Sequence, residues 1–257
     1  MIFKPGDVTN KELPCEILRR LPGSSMAEIY LAQLINTKHR MVVKGVGQDA
    51  PQSLQAVLKK EVRVLHGLRQ ESIPEFYGYF EEPGRNYYVM SYHNGSNLED
   101  YLRQQGSISE RQVQKIALDL CRTLAYLHKK SVVYGDLKPS NVLIADKEVI
   151  LLDYGAAGYL GEEQEDIYFQ GTIGYAAPEC WRSGQLTYAV DIFALGAMLY
   201  RMLEGQEPKE RFGRFALSSP QKKNRWQSVL DKCCALDAGR RYQSIAQVYE
   251  VISKRRL

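Results

Sequence analysis

Two carboxylates and an amide, each placed at the end of a short apolar run, constrain this chain more than any other feature. Val132-Val133 leads into Tyr134-Gly135-Asp136-Leu137-Lys138-Pro139-Ser140-Asn141, and Val142-Leu143-Ile144 leads out. A little further on, Ile150-Leu151-Leu152 delivers Asp153, followed by Tyr154-Gly155. Short apolar runs bounded by turn residues read as buried strands, and Pro139 restricts the loop backbone between the first two. Packing alone would not select an acid, a cation and an amide there, because each is costly to bury without a partner. Hard oxygen donors at strand ends suit magnesium, which takes one or two carboxylates together with the phosphates of a substrate.

With 257 residues, the chain is long enough for one large domain or for two lobes with a cleft. Its 34 Lys and Arg against 30 Asp and Glu leave a charge of +4, too small to argue for a nucleic-acid partner. From Glu207 onward, however, twelve Lys and Arg face five Asp and Glu. That excess reads as solvated surface, with an acidic partner or an anionic membrane surface near Lys254-Arg255-Arg256 as the alternative. Cys15, Cys121, Cys180, Cys233 and Cys234 show no metal or disulfide spacing, which predicts free, mostly buried thiols in a reducing compartment. Met1 to Asn10 lacks the apolar core of a signal peptide. Tyr188 to Leu203 is too short to span a bilayer and carries Asp191 and Arg201. A cytoplasmic chain without a transmembrane segment is expected.

The first third reads as strands with one helix. Glu16–Leu21, Glu28–Leu34 and Arg40–Val46 are rich in branched residues and separated by turn signals, and further strands are expected over Glu75–Phe80 and Tyr87–Tyr92. After Asp49-Ala50-Pro51, a plausible helix start, Leu54, Val57, Leu58, Val62 and Leu65 recur at helical spacing. Glu61 shares that apolar face and needs a partner or an exit to water; Lys44, at the end of an apolar strand, is the candidate partner. Asn94-Gly95-Ser96-Asn97 reads as a hinge. Beyond it the chain turns helical: Ser109-x-x-Gln112 is a capping box opening a helix with the stripe Val113, Ile116, Ala117, Leu120, Leu124 and Leu127. Tyr188 to Leu203 is apolar on nearly all sides and should be a buried helix, with Asp191 receiving backbone amides. A last helix over Ser244–Ser253 turns Ile245, Val248 and Ile252 inward and closes with cations.

These motifs, in this order, resemble the eukaryotic-type (Hanks-type) serine/threonine protein kinases over roughly residues 13 to 257. The resemblance implies an α+β, bilobal protein kinase fold: a small antiparallel β-sheet N-lobe with one key helix over about 13–92, and a larger, mainly helical C-lobe over about 93–257. It implies ATP and Mg²⁺ as cofactors, with Mn²⁺ as an alternative ion, and a protein substrate bearing a Ser or Thr acceptor. Lys44 matches the strand lysine that contacts the phosphates, and Glu61 the helix glutamate that pairs with it. Asp136 matches the catalytic aspartate, and Lys138 the lysine that neutralises the transferred phosphoryl group. Asn141 and Asp153 match the metal ligands. Leu21, Gly23, Ser24, Ile29, Val42, Met90, Tyr92 and Leu143 fall where the family contacts its nucleotide. Ala177-Pro178-Glu179 and Asp191 match structural anchors, and Glu179 is expected to pair with Arg241. Tyr134, Tyr154, Leu65 and Phe76 match a stacked hydrophobic spine.

Four departures stand out. The glycine-rich phosphate loop is Leu21-Pro22-Gly23-Ser24-Ser25-Met26-Ala27-Glu28-Ile29, with Pro22, Ser24 and Ala27 at the usual glycine positions, which weakens its backbone grip. Val42 replaces the small residue of the adenine slot. Tyr134-Gly135 replaces the His-Arg before the catalytic aspartate, removing the arginine that receives a phosphorylated activation loop. No Ser or Thr lies between Gly155 and Gly171. Activity independent of activation-loop phosphorylation is therefore expected. Lys138 with Thr172 favours serine or threonine over tyrosine as acceptor. Ser140, where base-directed members of the family often have Glu, does not support a preference for arginine upstream of the acceptor. The run Glu162, Glu163, Glu165 and Asp166 reads as a solvated loop, with attraction of basic substrates as the alternative. Glu165 to Gly171 also fits the target of a potyviral protease. The bacterial members of the family are the most similar in wording, through Tyr-x-Asp-Leu-Lys-Pro-Ser-Asn and Arg-Tyr-Gln-Ser. A nucleotide-binding pseudokinase scaffold and a small-molecule phosphotransferase are the competing readings.

Overall fold

Antiparallel pairing organises the first part of the chain. The computed structural model describes residues 1–22, 27–145, 148–162, 172–181, 186–208 and 217–255. It divides into two compact units, Met1–Asn94 and Gly95–Leu257. In the first unit, β1 (Cys15–Leu21), β2 (Glu28–Leu34), β3 (Arg40–Gly47), β4 (Phe76–Glu82) and β5 (Arg85–Ser91) form one sheet in the order β1-β2-β3-β5-β4. The central strand β3 is buried over residues 41–46, where Met41, Val42, Val43 and Val46 flank the buried Lys44.

Residues paired across antiparallel strands share a face. Leu21 pairs with Ile29, Ile29 with Lys44, Leu31 with Val42, and Val42 with Met90. This register gathers Leu21, Ile29, Val42, Lys44 and Met90 on one face. The opposite face collects Cys15, Ile17, Tyr30, Ala32, Met41, Val43, Tyr87 and Val89 into a separate apolar cluster with Phe3.

Helix α1 (Gln52–His66) begins after Pro51 and carries Arg63 and His66 in its last turn, where cations suit the helix dipole. Its buried residues are Leu58, Glu61, Val64 and Leu65. The expected stripe is therefore rotated: Leu54, Val57 and Val62 are only partly buried. The inward meridian follows Glu61 and its neighbours three and four positions away, because the carboxylate is drawn toward Lys44.

The second unit opens with β6 (Ser96–Asn97), which pairs with β8 (Val142–Ala145). Asn97 caps α2 (Leu98–Gln105), its side chain accepting from the Glu99 N–H. The boundary between the units falls within the expected hinge, between Asn94 and Gly95, and its second half, Ser96 and Asn97, is tied into a sheet and a helix cap. Helix α3 (Glu110–Lys129) has the full Ser109–Gln112 capping box and buries the expected stripe, with Cys121 and Thr123 added. Strand β7 (Val132–Val133) pairs with β10 (Gly158–Tyr159), and β8 pairs with β9 (Glu148–Leu151). Helix α4 (Tyr188–Glu204) is buried on nearly every side and ends on Gly205 in the left-handed conformation. Helices α5 (Pro220–Cys233) and α6 (Ile245–Ser253) complete the described helices. No cation occupies the last turn of α6; Lys254 is its C-cap residue and pairs with Glu250.

Arg241, 2% exposed, holds Glu179 with two nitrogens, at 2.5 and 2.8 Å, and also donates to the carbonyls of Ala235 and Ala189. All five cysteines are free and buried, and burial pushes the Cys121 and Cys180 thiols up to about 12. Among the described residues, no helix is long and apolar enough to cross a membrane.

Candidate active site

Lys44 and Glu61 form a closed ion pair within the first unit. The lysine Nζ lies 2.8 Å from both carboxylate oxygens, and the two residues are only 4% and 1% exposed. A buried pair of this kind gains little net stability, because desolvation offsets most of the attraction. Its position, with Leu21, Ile29, Val42 and Met90 on the same sheet face, fits a cationic contact beside an apolar slot. Tyr92 lies just beyond β5 and is partly buried. Gly23 and Ser24 lie outside the described residues, as do Glu163, Glu165, Asp166 and the protease target up to Gly171.

In the second unit, β7 delivers the loop and α4 fixes its backbone. Asp191, fully buried, accepts the N–H of Tyr134 at 3.0 Å and of Gly135 at 2.9 Å, and its Oδ2 lies 2.8 Å from His128 Nε2. Gly135 has φ +82°, a region costly for residues with a Cβ. The glycine at this position thus has a local conformational reason. Pro139 then starts a single helical turn over Pro139–Asn141, in which the Asn141 N–H returns to the Lys138 carbonyl. Asn97 Nδ2 holds the Ser140 carbonyl at 2.6 Å.

Three polar groups converge on Asp136. Lys138 Nζ lies 2.7 Å from its Oδ2, Thr172 Oγ1 donates to its Oδ1 at 3.0 Å, and Asn141 Nδ2 donates to its backbone carbonyl at 2.8 Å and to Oδ2 at 3.1 Å. Lys138 Nζ also reaches Thr172 Oγ1 at 2.9 Å. With its nitrogen used on Asp136, Asn141 has its amide oxygen to offer a cation. The Leu152 N–H donates to the Asn141 carbonyl at 2.8 Å, tying this loop to the strand end that carries Asp153. Asp153 has φ +54°, in the left-handed region, and its Oδ1 accepts the Gly155 N–H at 3.3 Å. Aspartate tolerates that region better than most residues, and such strain concentrates at functional positions. The oxygen donors of Asn141 and Asp153 match in kind what a hard divalent cation takes. Leu143, in β8, pairs with Ile150 and Asn97 and is partly buried.

Tyr134 and Tyr154 meet edge to face, with ring centroids 5.3 Å apart. The Tyr134 hydroxyl donates to the Leu152 carbonyl, and burial, followed by the neighbouring anionic groups, drives its pKa well above the ordinary tyrosine value. Leu65 and Phe76 are buried in the first unit.

The sequence reading missed the contacts of His128, Asn97 and Thr172. His128 carried a faint signal, as a polar residue directly after the last stripe position of α3. Thr172 was legible as a residue type near the site, but not as a direct partner of Asp136. Asn97 stood in an apparent hinge and gave no sign of reaching Ser140.

An antiparallel sheet with a Lys–Glu pair beneath it, and a loop presenting Asp, Lys and Asn beside a strand-end Asp, define a protein built to handle phosphates. The protein kinase domain model matches residues 18–250, and the chain belongs to this family, of the eukaryotic Hanks type. The sheet-rich first unit and the mainly helical second unit are the two parts of that fold. The family uses ATP and a divalent metal. The chain is 30% identical to the probable serine/threonine-protein kinase zyg-1 of Caenorhabditis briggsae, over 88% of this chain and 32% of that protein. It is 30% identical to calcium/calmodulin-dependent protein kinase type 1B of Homo sapiens, over 75% of this chain and 57% of that one. It is 28% identical to the Aurora kinase of Schizosaccharomyces pombe, over 76% and 56%. The chain thus spans between 32% and 57% of the length of these curated relatives.

Proposed function

We propose that this chain transfers the γ-phosphate of Mg·ATP to serine or threonine hydroxyls of proteins. The observation that carries this reading is the hydroxyl of Thr172, held at once by Asp136 and Lys138. It supports a carboxylate–ammonium pair suited to gripping an aliphatic hydroxyl. Asp136 accepts or orients the proton of the acceptor, and Lys138 counters the charge that develops on the transferred group. Lys44, oriented by Glu61, contacts the α- and β-phosphates. Leu21, Ile29, Val42, Met90 and Tyr92 of the first unit would contact the nucleotide. Asn141 and Asp153 would hold Mg²⁺, which when bound would supply charge neutralisation and orientation of the phosphates.

Activity independent of activation-loop phosphorylation belongs to the same proposal. Gly135 stands where a phosphate-receiving arginine would be, and no Ser or Thr lies between Gly155 and Gly171. The wording Tyr134 to Asn141 supports a place near the bacterial members of the family.

Incubation with Mg·ATP and a generic protein substrate tests the reaction. Phosphoserine or phosphothreonine should form and be absent with Asp136→Asn. Prior phosphatase treatment should leave the rate unchanged; a rate abolished by it removes the independence claim. A second reading, a nucleotide-binding scaffold, draws on Pro22, Ser24 and Ala27 in place of glycines. Nucleotide-induced stabilisation without transfer to any protein would favour it.

A further inference from the structure

The residues before the family match begin with a segment built into the first unit. Gly6, at φ +88°, turns the chain, with the Asp7 N–H returning to the Lys4 carbonyl at 3.0 Å. Residues 6 to 9 then run beside β1: Gly6 N–H reaches the Ile17 carbonyl at 2.8 Å, Ile17 N–H the Asp7 carbonyl at 2.8 Å, and Thr9 N–H the Cys15 carbonyl at 3.0 Å. Ahead of the turn, Ile2 and Phe3 cross onto the sheet face opposite Lys44.

Phe3 is 1% exposed and stands edge-on to Tyr30 and Tyr87, with centroids 5.6 and 5.1 Å away. The Arg85 guanidinium lies 4.0 Å from its ring centroid. The segment also satisfies the hydroxyls of both buried tyrosines. Phe3 N–H donates to Tyr30 Oη at 3.2 Å, and Asn10 donates to Tyr87 Oη from its backbone at 3.1 Å and its side chain at 2.9 Å. The Tyr30 hydroxyl in turn donates to Glu28, at the first residue of β2, and Glu28 Oε2 accepts the Ile2 N–H at 3.4 Å. Ile2 sits against Gly45, the residue after Lys44: a Cβ there would come within 2.9 Å of the Ile2 side chain and 2.6 Å of the Asn86 carbonyl and Tyr87 Cβ.

We propose that residues 2–10 form a strap that positions the nucleotide-contacting strands, with Phe3 and Tyr30 as its positioning residues. Through Glu28 and Tyr30 the strap fixes β2, which carries Ile29. Through Ile2 on Gly45 it fixes β3 at the peptide next to Lys44. Strands backed by a packed layer hold their opposite face in register, and small misplacements of a binding group are expensive. The family match starts at residue 18, so residues 2–10 lie ahead of it, and Phe3 packs into the same cluster as Cys15 and Ile17 of β1. This inference rests on the phosphotransfer reading for the identity of the ligand.

Calorimetric Kd for Mg·ATP, and KM and kcat for transfer, should be measured well below the unfolding temperature for wild type, Phe3→Ala, Phe3→Leu and Tyr30→Phe. Phe3→Ala should raise Kd and KM for ATP by about 5–10-fold with kcat within about twofold, the pattern of lost uniform binding. Phe3→Leu, which refills the space, should recover most of this. Tyr30→Phe removes one hydroxyl and should raise Kd by about 2–3-fold, on the scale of one weak hydrogen bond. If Phe3→Ala fails to fold, the other two variants decide the matter. Variants with lowered melting temperature but wild-type Kd and KM would reduce the strap to structural filler and overturn the inference. A wild-type chain that binds no nucleotide overturns both this inference and the phosphotransfer reading, whereas ordinary wild-type transfer with unmoved variants overturns the strap alone.

Discussion

Lys44 and Glu61 gain their meaning from burial. Removing one partner leaves an uncompensated charge in the sheet interior, so Lys44→Met should lower unfolding stability by about 3–5 kcal/mol in urea titration. The double variant Lys44→Met/Glu61→Leu should recover much of that stability without recovering phosphate transfer. Such an outcome would separate the pair's chemical role from its structural one. Gly135 behaves differently. At φ +82°, any residue with a Cβ is strained, and Gly135→Ala should cost about 1–2 kcal/mol, read from the shift in denaturation midpoint. Thr172→Val removes the hydroxyl that bridges Asp136 and Lys138 while keeping the volume. Phosphate transfer should fall at least about tenfold, with Thr172→Ser close to wild type, on the scale of a charge-assisted hydrogen bond.

At the scale of elements, α4 serves the catalytic loop more than it serves itself. It opens without a side-chain cap, and Asp191 in its first turn turns to the amides of Tyr134 and Gly135 instead. Hydrogen bonds to a charged acceptor contribute about 1.5–3 kcal/mol each. Asp191→Ala should therefore destabilise the second unit by several such increments and abolish transfer, while Asp191→Asn should retain part of both; hydrogen exchange at the Tyr134 and Gly135 amides would report the loosening directly. Helix α1 shows what periodicity can and cannot settle. Leu58, Leu65 and the helix itself were legible, yet the rotation that buries Val64 in place of Val62 depended on where Lys44 stood. Helix α5 escaped notice because Lys222, Lys223 and Arg225 crowd its opening, although Trp226, Val229, Leu230 and Cys233 are its buried residues.

For the whole molecule, a ligand bound only by the folded state raises stability by mass action, by about 2.7 kcal/mol at a hundredfold excess over Kd. Mg·ATP should thus raise the melting temperature of both the wild type and Asp136→Asn, since the proposed role of the aspartate is on the acceptor hydroxyl. Loss of the shift in the variant would place Asp136 in nucleotide binding instead. The amino-acid order alone determined the strand–helix–strand plan and the family, and it singled out Lys44, Glu61, Asp136, Lys138, Asn141 and Asp153 as candidate site residues. These were legible because apolar period and turn chemistry are local, and because chemistry-bearing residues stand out where packing would not choose them. Only the tertiary structure decided which face of the sheet each strand residue joins, that Thr172 and Asn141 meet at Asp136, that Asp191 also takes His128, and that Phe3 and Asn10 seal the sheet's other face. Those facts depend on contacts between residues far apart in the chain. Strand register and the demand that every buried polar group find a partner select them, and neither leaves a periodic trace in the sequence.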